Sequence, residues 1–173
     1  LYQKDGDYRL SFKNWVLSNH MYNVTDISPA NLVQVYDTIL KAKTRQIFVS
    51  MQFSSDTKNH YNAIKKAVKA INEKHKLNLK LREIRIDELK KGHFYTISDE
   101  ILQLINNTGL LIADLTHGNR NVYHELGFLM GLNEGRGIRH ENFLLVMKND
   151  PEGKTDSKVG FNIRDYQKIR FDD

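Results

Sequence analysis

Gly109-Leu-Leu-Ile-Ala-Asp-Leu-Thr-His-Gly-Asn-Arg-Asn-Val-Tyr-His-Glu-Leu-Gly-Phe-Leu-Met-Gly-Leu132 is the stretch on which the fold turns. Residues 109–113 form a short apolar run without polar alternation, the pattern of a strand buried on both faces. Asp114 stops the run, a polar loop follows, and a helix is expected from about 120 to 134, with Glu125 in its first turns. A strand feeding a helix through such a loop places the loop at the carboxyl edge of a sheet, where α/β proteins keep their ligand sites. The rim then carries two carboxylates (Asp114, Glu125), the Thr116 hydroxyl and the carboxamides of Asn119 and Asn121.

Outward from this segment, strands and helices alternate. Ser28-Pro29 is a helix start with Leu32, Val35, Tyr36 and Ile39 at helical spacing, and Ile47–Phe53 is a β-rich run. Ser54-Ser55-Asp56 breaks that run and caps a helix from about Thr57, with Tyr61, Ile64, Val68 and Ile71 on one face. Residues 77–84 alternate as a half-buried strand. Ile97, Ile101, Leu104 and Ile105 mark another amphipathic helix, and residues 142–147 and 166–171 complete the strands. Strands alternating with helices imply parallel pairing through crossovers. The expected fold is a flavodoxin-like, doubly wound α/β domain with a mostly parallel five-stranded sheet and helices on both faces. It is expected to occupy residues 46–173. Residues 1–45 read as an extension or the remnant of a preceding domain, its segment 1–28 aromatic without a period.

Composition narrows the class. The 173 residues contain no cysteine, so a disulfide framework and any thiolate ligand or nucleophile are excluded. No apolar run approaches the roughly 18 residues of a membrane span, and a cytoplasmic location is expected. The formal charge of +5 favours an anionic partner. Between Lys58 and Lys91 nine Lys and two Arg stand against four acidic residues, which reads as a solvated face. Aromatics interleaved with a basic stripe are missing, so nucleic acid is disfavoured as a partner. His117 and His124 lack ligand spacing and no metal site is expected.

In a 2-1-3-4-5 sheet the order reverses between the strands ending at Phe53 and at Asp114, so Ser50–Asp56, Arg85–Tyr95 and Asp114–Glu125 are expected to converge. Ser50, Met51 and Phe53 would line the floor, and Asp87 would face the same cleft. Glu125 near the positive end of a helix suits a nucleophile or a stabiliser of positive charge, with Asn121 one turn before it. Asp114 can accept from a diol or cap the following turn. Gly127 suggests close approach to the sheet or a ligand.

Ala113-Asp-Leu-Thr-His-Gly-Asn-Arg-Asn-Val-Tyr-His-Glu-Leu-Gly-Phe128 resembles the signature of nucleoside 2-deoxyribosyltransferase-like proteins and their TIR-like relatives. The likeness extends from about Ile47 to Phe171 and includes the Ile-Phe-Val-Ser-Met strand and the Arg-Ile-Asp-Glu run. It implies that Glu125 acts at the anomeric carbon of an N-glycosidic bond, with Asp114, Asn121 or Asp87 on hydroxyls or base. It implies a nucleotide or nucleoside ligand, no cofactor, and NAD as the favoured substrate. Nucleoside 2-deoxyribosyl transfer is the alternative activity, and a non-catalytic nucleotide-sensing or interaction module the alternative class. The sequence opens on Leu1 and reads as a piece of a longer polypeptide with a preceding domain; the resemblance then implies an effector of the kind found in prokaryotic defence systems, working when self-associated.

Overall fold

The computed structural model describes residues 29–88, 97–150 and 159–172. The aromatic segment 1–28, Tyr95 and most of the loop 149–160 lie outside the described residues. Two compact units divide between Ala42 and Lys43. Helix α1, Pro29–Thr44, crosses this boundary. It begins at the proline, whose missing N–H is one that a first helical turn leaves unpaired anyway. Tyr36 and Ile39 are half-buried, whereas Val35, expected on the same stripe, is exposed.

The second unit holds a sheet of β1 (Gln46–Ser50), β2 (Arg82–Ile84), β3 (Leu110–Asp114), β4 (Phe143–Lys148) and β5 (Lys168–Phe171). The strand order is β2-β1-β3-β4-β5 and every pair is parallel. With α2 (Lys58–His75), α3 (Ile97–Asn107) and α4 (Arg120–Gly135) between the strands, the architecture is flavodoxin-like.

Period-two alternation assigns the two faces of β1 and β3. Phe48, Leu111 and Ala113 pack with Leu104 and Ile105 of α3 and with Val122, Leu126 and Leu129 of α4. Ile47, Val49 and Ile112 turn to the other face, against Tyr61 and Val68 of α2. Both faces are covered, which is why these strands lack polar alternates.

The strand expected at 77–84 is shorter. Lys76 adopts a left-handed conformation (φ 46°) that ends α2, and β1 begins only at Gln46, opposite Arg82. Residues 77–81 therefore have no strand to pair with. The Asn72 carboxamide takes both backbone groups of Leu81 instead, accepting from its N–H at 2.8 Å and donating to its carbonyl at 2.9 Å.

Gly109 marks a close crossing at the start of β3. A Cβ there would stand 1.9 Å from the Thr44 carbonyl oxygen, and main chain yields poorly. Gly109→Ala is expected to cost about 1–3 kcal/mol of unfolding free energy, read by urea titration. Gly127, expected at a close approach, faces open space instead: a Cβ there would have nothing within 4 Å beyond its own helix. Gly127→Ala is accordingly expected to stabilise by up to about 1 kcal/mol in the same titration, through helix propensity.

Candidate active site

After Asp114 the chain turns through Gly118, whose φ of 62° is a left-handed conformation that disfavours a side chain. Asn119 then caps α4, its Oδ1 accepting from the Asn121 N–H at 2.9 Å. Val122, Leu126, Leu129 and Asn133 form the buried stripe of α4. Glu125 lies on the flank of that stripe, half-buried and turned toward α3 and the end of β1.

Two adjoining spaces meet at this residue. The inner one, about 120 Å³, is lined by Ser50, Met51, Phe53, Ile86, Asn119 and Glu125, among others. The outer one, about 310 Å³, runs between α3 and α4 over Ile101, Ile105, Phe128 and His124. Ile101, Asn121 and Glu125 line both.

Burial pushes the Glu125 carboxyl above the ordinary carboxylate range, and the facing Ser50 hydroxyl offsets part of this. Its position near the helix start suggests the reverse, an ionised form favoured by the helix dipole. Loss of water outweighs the dipole here, because the dipole acts mainly within the first turn. The Ser50 hydroxyl stops short of a formed hydrogen bond. Its Oγ is buried and has no partner among the described residues. An unpaired buried hydroxyl costs about 1–3 kcal/mol, so this cleft contains a polar group that the fold itself leaves unsatisfied.

An aromatic and cationic cluster adjoins the inner space at Phe53, one of its lining residues. Phe53 is half exposed, and the Arg85 guanidinium lies 5.4 Å from its ring and 4.3 Å from that of Tyr61. Arg85 is held in place by Asp87, donating from Nε at 2.6 Å and from Nη2 at 2.7 Å. Tyr61 donates to Glu88 at 2.8 Å, and Lys65 donates to the other oxygen at 2.9 Å. Burial, then the bond to Glu88, raises the Tyr61 hydroxyl well above its usual range, so it stays a donor.

Ser50, Met51, Phe53, Asn119, Asn121 and Glu125 therefore meet in one cleft. Asp114, Thr116 and Asp87 are not among its lining residues. Asp114 follows Ile112 in alternation and points to the α2 face. There its Oδ2 lies 2.9 Å from His60 Nδ1, and its Oδ1 accepts from the Thr116 N–H at 2.9 Å. Thr116 Oγ1 accepts from the Lys148 N–H at 3.0 Å and ties the loop to β4. Asp87 is committed to Arg85. His117 leaves the cleft as well, its ring stacked on His60 at 6.4 Å and its Nε2 3.4 Å from Asp56. Among the described residues no group of His, Cys, Asp and Glu could hold a metal ion.

Three contributors, Ile101, Ile105 and Phe128, are not evident from the sequence. Ile101 and Ile105 read only as core positions of α3, though a helix that flanks a cleft lines it with the edge of its apolar stripe. Phe128 is one turn beyond Glu125, a spacing that places it on the same side. Arg85 borders the cleft through its contact with Phe53, and its pairing with Asp87 is made where the chain leaves β2 for the short 3-10 turn Ile86–Glu88. A broader depression of about 500 Å³ follows α2 and β2, lined by Lys65, Lys69, Lys76 and Lys80. It is open, and two of those lysines already face Glu88 and Glu73, so the chemistry is not placed there.

No protein-family model and no curated protein matches the chain. Among solved structures it is similar to the TIR domains in a structure of the activated Roq1 resistosome directly recognizing the pathogen effector XopQ. The identity is 17% and the TM-score 0.43, over 66% of this chain and 64% of that one.

Proposed function

We propose that this chain cleaves the N-glycosidic bond of a nucleotide or nucleoside, with Glu125 acting at the anomeric carbon and NAD hydrolysis favoured over 2-deoxyribosyl transfer. The observation that carries the reading is a carboxyl group withdrawn from water at the junction of a small, enclosed space and a larger, more open one. A sugar in the inner space and a base in the outer one would put the bond between them beside Glu125.

The chemistry follows from charge. As the C1′–N bond breaks, its electron pair leaves with the base and the sugar becomes oxocarbenium-like. A poorly solvated carboxylate stabilises that cation more strongly than one in bulk water, or captures it covalently. Nicotinamide departs as a neutral molecule because its ring nitrogen recovers the bonding pair. Water then adds to C1′ and one proton is released, giving the free hemiacetal. A purine must instead gain a proton as it leaves. Phe53, which lines the inner space, and Phe128 in the outer space offer faces on which a heterocycle can stack. Self-association belongs to the same proposal: Leu102 and Phe128 expose apolar surface beside the outer space. Among the described residues no helix is long and apolar enough to cross a membrane.

The test is product release at high protein concentration, with NAD and separately with a 2′-deoxynucleoside plus a free base. Free nicotinamide selects hydrolysis of NAD, and an exchanged base selects transfer. Saturable nucleotide binding without either product leaves the sensing module, and the absence of binding leaves an interaction domain.

A further inference from the structure

Ser50 is the last residue of β1, and its neighbours in the sheet register are apolar, Val49 before it and Ala113 across from it. Strand alternation sends it to the same face as Phe48, toward α3 and α4, and only 2% of it is exposed. An alanine would pack there without an unsatisfied polar atom. The hydroxyl instead opens into the inner space opposite Glu125, with no partner for its Oγ among the described residues. A group that the fold does not use, in a cleft that has room for a ligand, is placed to meet that ligand.

The size of the space limits what it meets. About 120 Å³ corresponds to roughly four waters at about 30 Å³ each, enough for a furanose ring and too little for a ring with its base. The base belongs in the outer space, because Asn121 and Glu125 line both. A sugar seated so presents its 2-position, one bond from the reacting carbon, to the same wall that carries Ser50. A serine hydroxyl can donate once and accept twice, so it can donate to the Glu125 carboxylate and accept from a sugar hydroxyl at once.

We propose that Ser50 reads the 2′-hydroxyl of the substrate, linking it to Glu125 and selecting ribosyl over 2′-deoxyribosyl substrates. The inference rests on the assignment of Glu125 to N-glycosidic cleavage. Ser50 is a specificity-determining residue in this scheme. A substrate without the 2′-hydroxyl offers the serine no partner on the sugar, so the site discriminates by a bond gained in one case only. Sites built to bond a substrate hydroxyl reject analogues lacking it far more strongly than apolar pockets reject an added methylene.

The experiment compares kcat/KM for two matched pairs: NAD and its analogue deoxygenated at the 2′-position of the nicotinamide riboside, and adenosine and 2′-deoxyadenosine. Each is measured with wild type and Ser50→Ala. The quantity read is the ribo-to-deoxy ratio in the variant relative to wild type, since deoxyribosyl bonds are intrinsically more labile. The expected result is a ratio lower by about 10- to 100-fold in Ser50→Ala, the loss on the ribosyl substrate exceeding any change on the deoxy one by that factor. A purely structural role would depress both substrates together and leave the ratio unchanged, which overturns the inference while sparing Glu125. An increased ratio also overturns it. Turnover of none of the four compounds by wild type overturns the N-glycosidase reading itself, and this inference with it. Thermal unfolding of the variant, expected at or above the wild-type midpoint, separates these outcomes from misfolding.

Discussion

Glu125→Gln is expected to remove N-glycosidic turnover almost entirely, by about 10³-fold or more in kcat, while nucleotide binding stays within a few fold. The size of the effect follows from replacing a charge set against a developing cation by a neutral amide of the same shape. The change leaves ground-state contacts in place, so the loss should sit in kcat with little movement of KM. Single-turnover assays beside equilibrium binding check both halves of the expectation. Equal loss of binding and turnover would mean that Glu125 positions the ligand without acting on it.

The same variant carries a stability signature of opposite sign. Burial raises the Glu125 carboxyl in the folded state, so the folded protein holds that proton more tightly than the unfolded chain does. Its contribution to stability is fully present below the ordinary carboxylate range and is lost as pH rises through the raised value. At neutral pH the ionised side chain therefore opposes folding. Glu125→Gln is expected to be more stable than wild type near neutrality and to converge with it as the solution is acidified. Urea titrations at a series of pH values read this directly. A variant that loses activity while gaining stability is the pattern of a functional residue held in an unfavourable environment.

Asp114→Ala is expected to act in the other direction, destabilising the fold by about 1–3 kcal/mol through lost buried hydrogen bonds. The pair it forms with His60 is buried, with side-chain exposures of 6% for the histidine and 1% for the aspartate. Removing Asp114 takes away the acceptor that His60 Nδ1 and the Thr116 N–H share, and lost buried hydrogen bonds are costly. His60 also packs edge-on against Phe171 at 4.7 Å, so the disturbance reaches β5. Chemical denaturation should show a lowered midpoint with an unchanged slope. Asp114→Asn keeps an acceptor for Thr116 and should show only part of the loss. A stable Asp114→Ala protein that has lost only ligand affinity would return Asp114 to the sugar, against the direction in which its two oxygens point.

Asp114 and Glu125 show how far sequence alone carries. Both are carboxylates at the edge of one strand–loop–helix segment, and local pattern gives them one shared task. The order of strands and helices, and hence the parallel sheet, was determined by short-range patterns: continuous apolar strands, helical spacing in α2 to α4, and the break at Asp114. These are properties of consecutive residues and need no partner to be read. The carboxyl edge as the place of the candidate site followed from the same topology.

Which side chains meet at that edge depended on contacts between residues far apart in the chain. Alternation along β3 carried Asp114 to α2, where His60, fifty-four positions earlier, stands opposite it. The helical flank of α4 carried Glu125 to Ser50 at the end of β1 and to Ile101 of α3. The raised Glu125 carboxyl is likewise a product of burial, which only packing creates. Sequence determined the elements and the edge where chemistry can occur, because those arise from local periodicity. Tertiary structure decided which carboxylate is spent on the fold and which faces the cleft, because that choice is made by the face to which each residue turns and by what stands opposite.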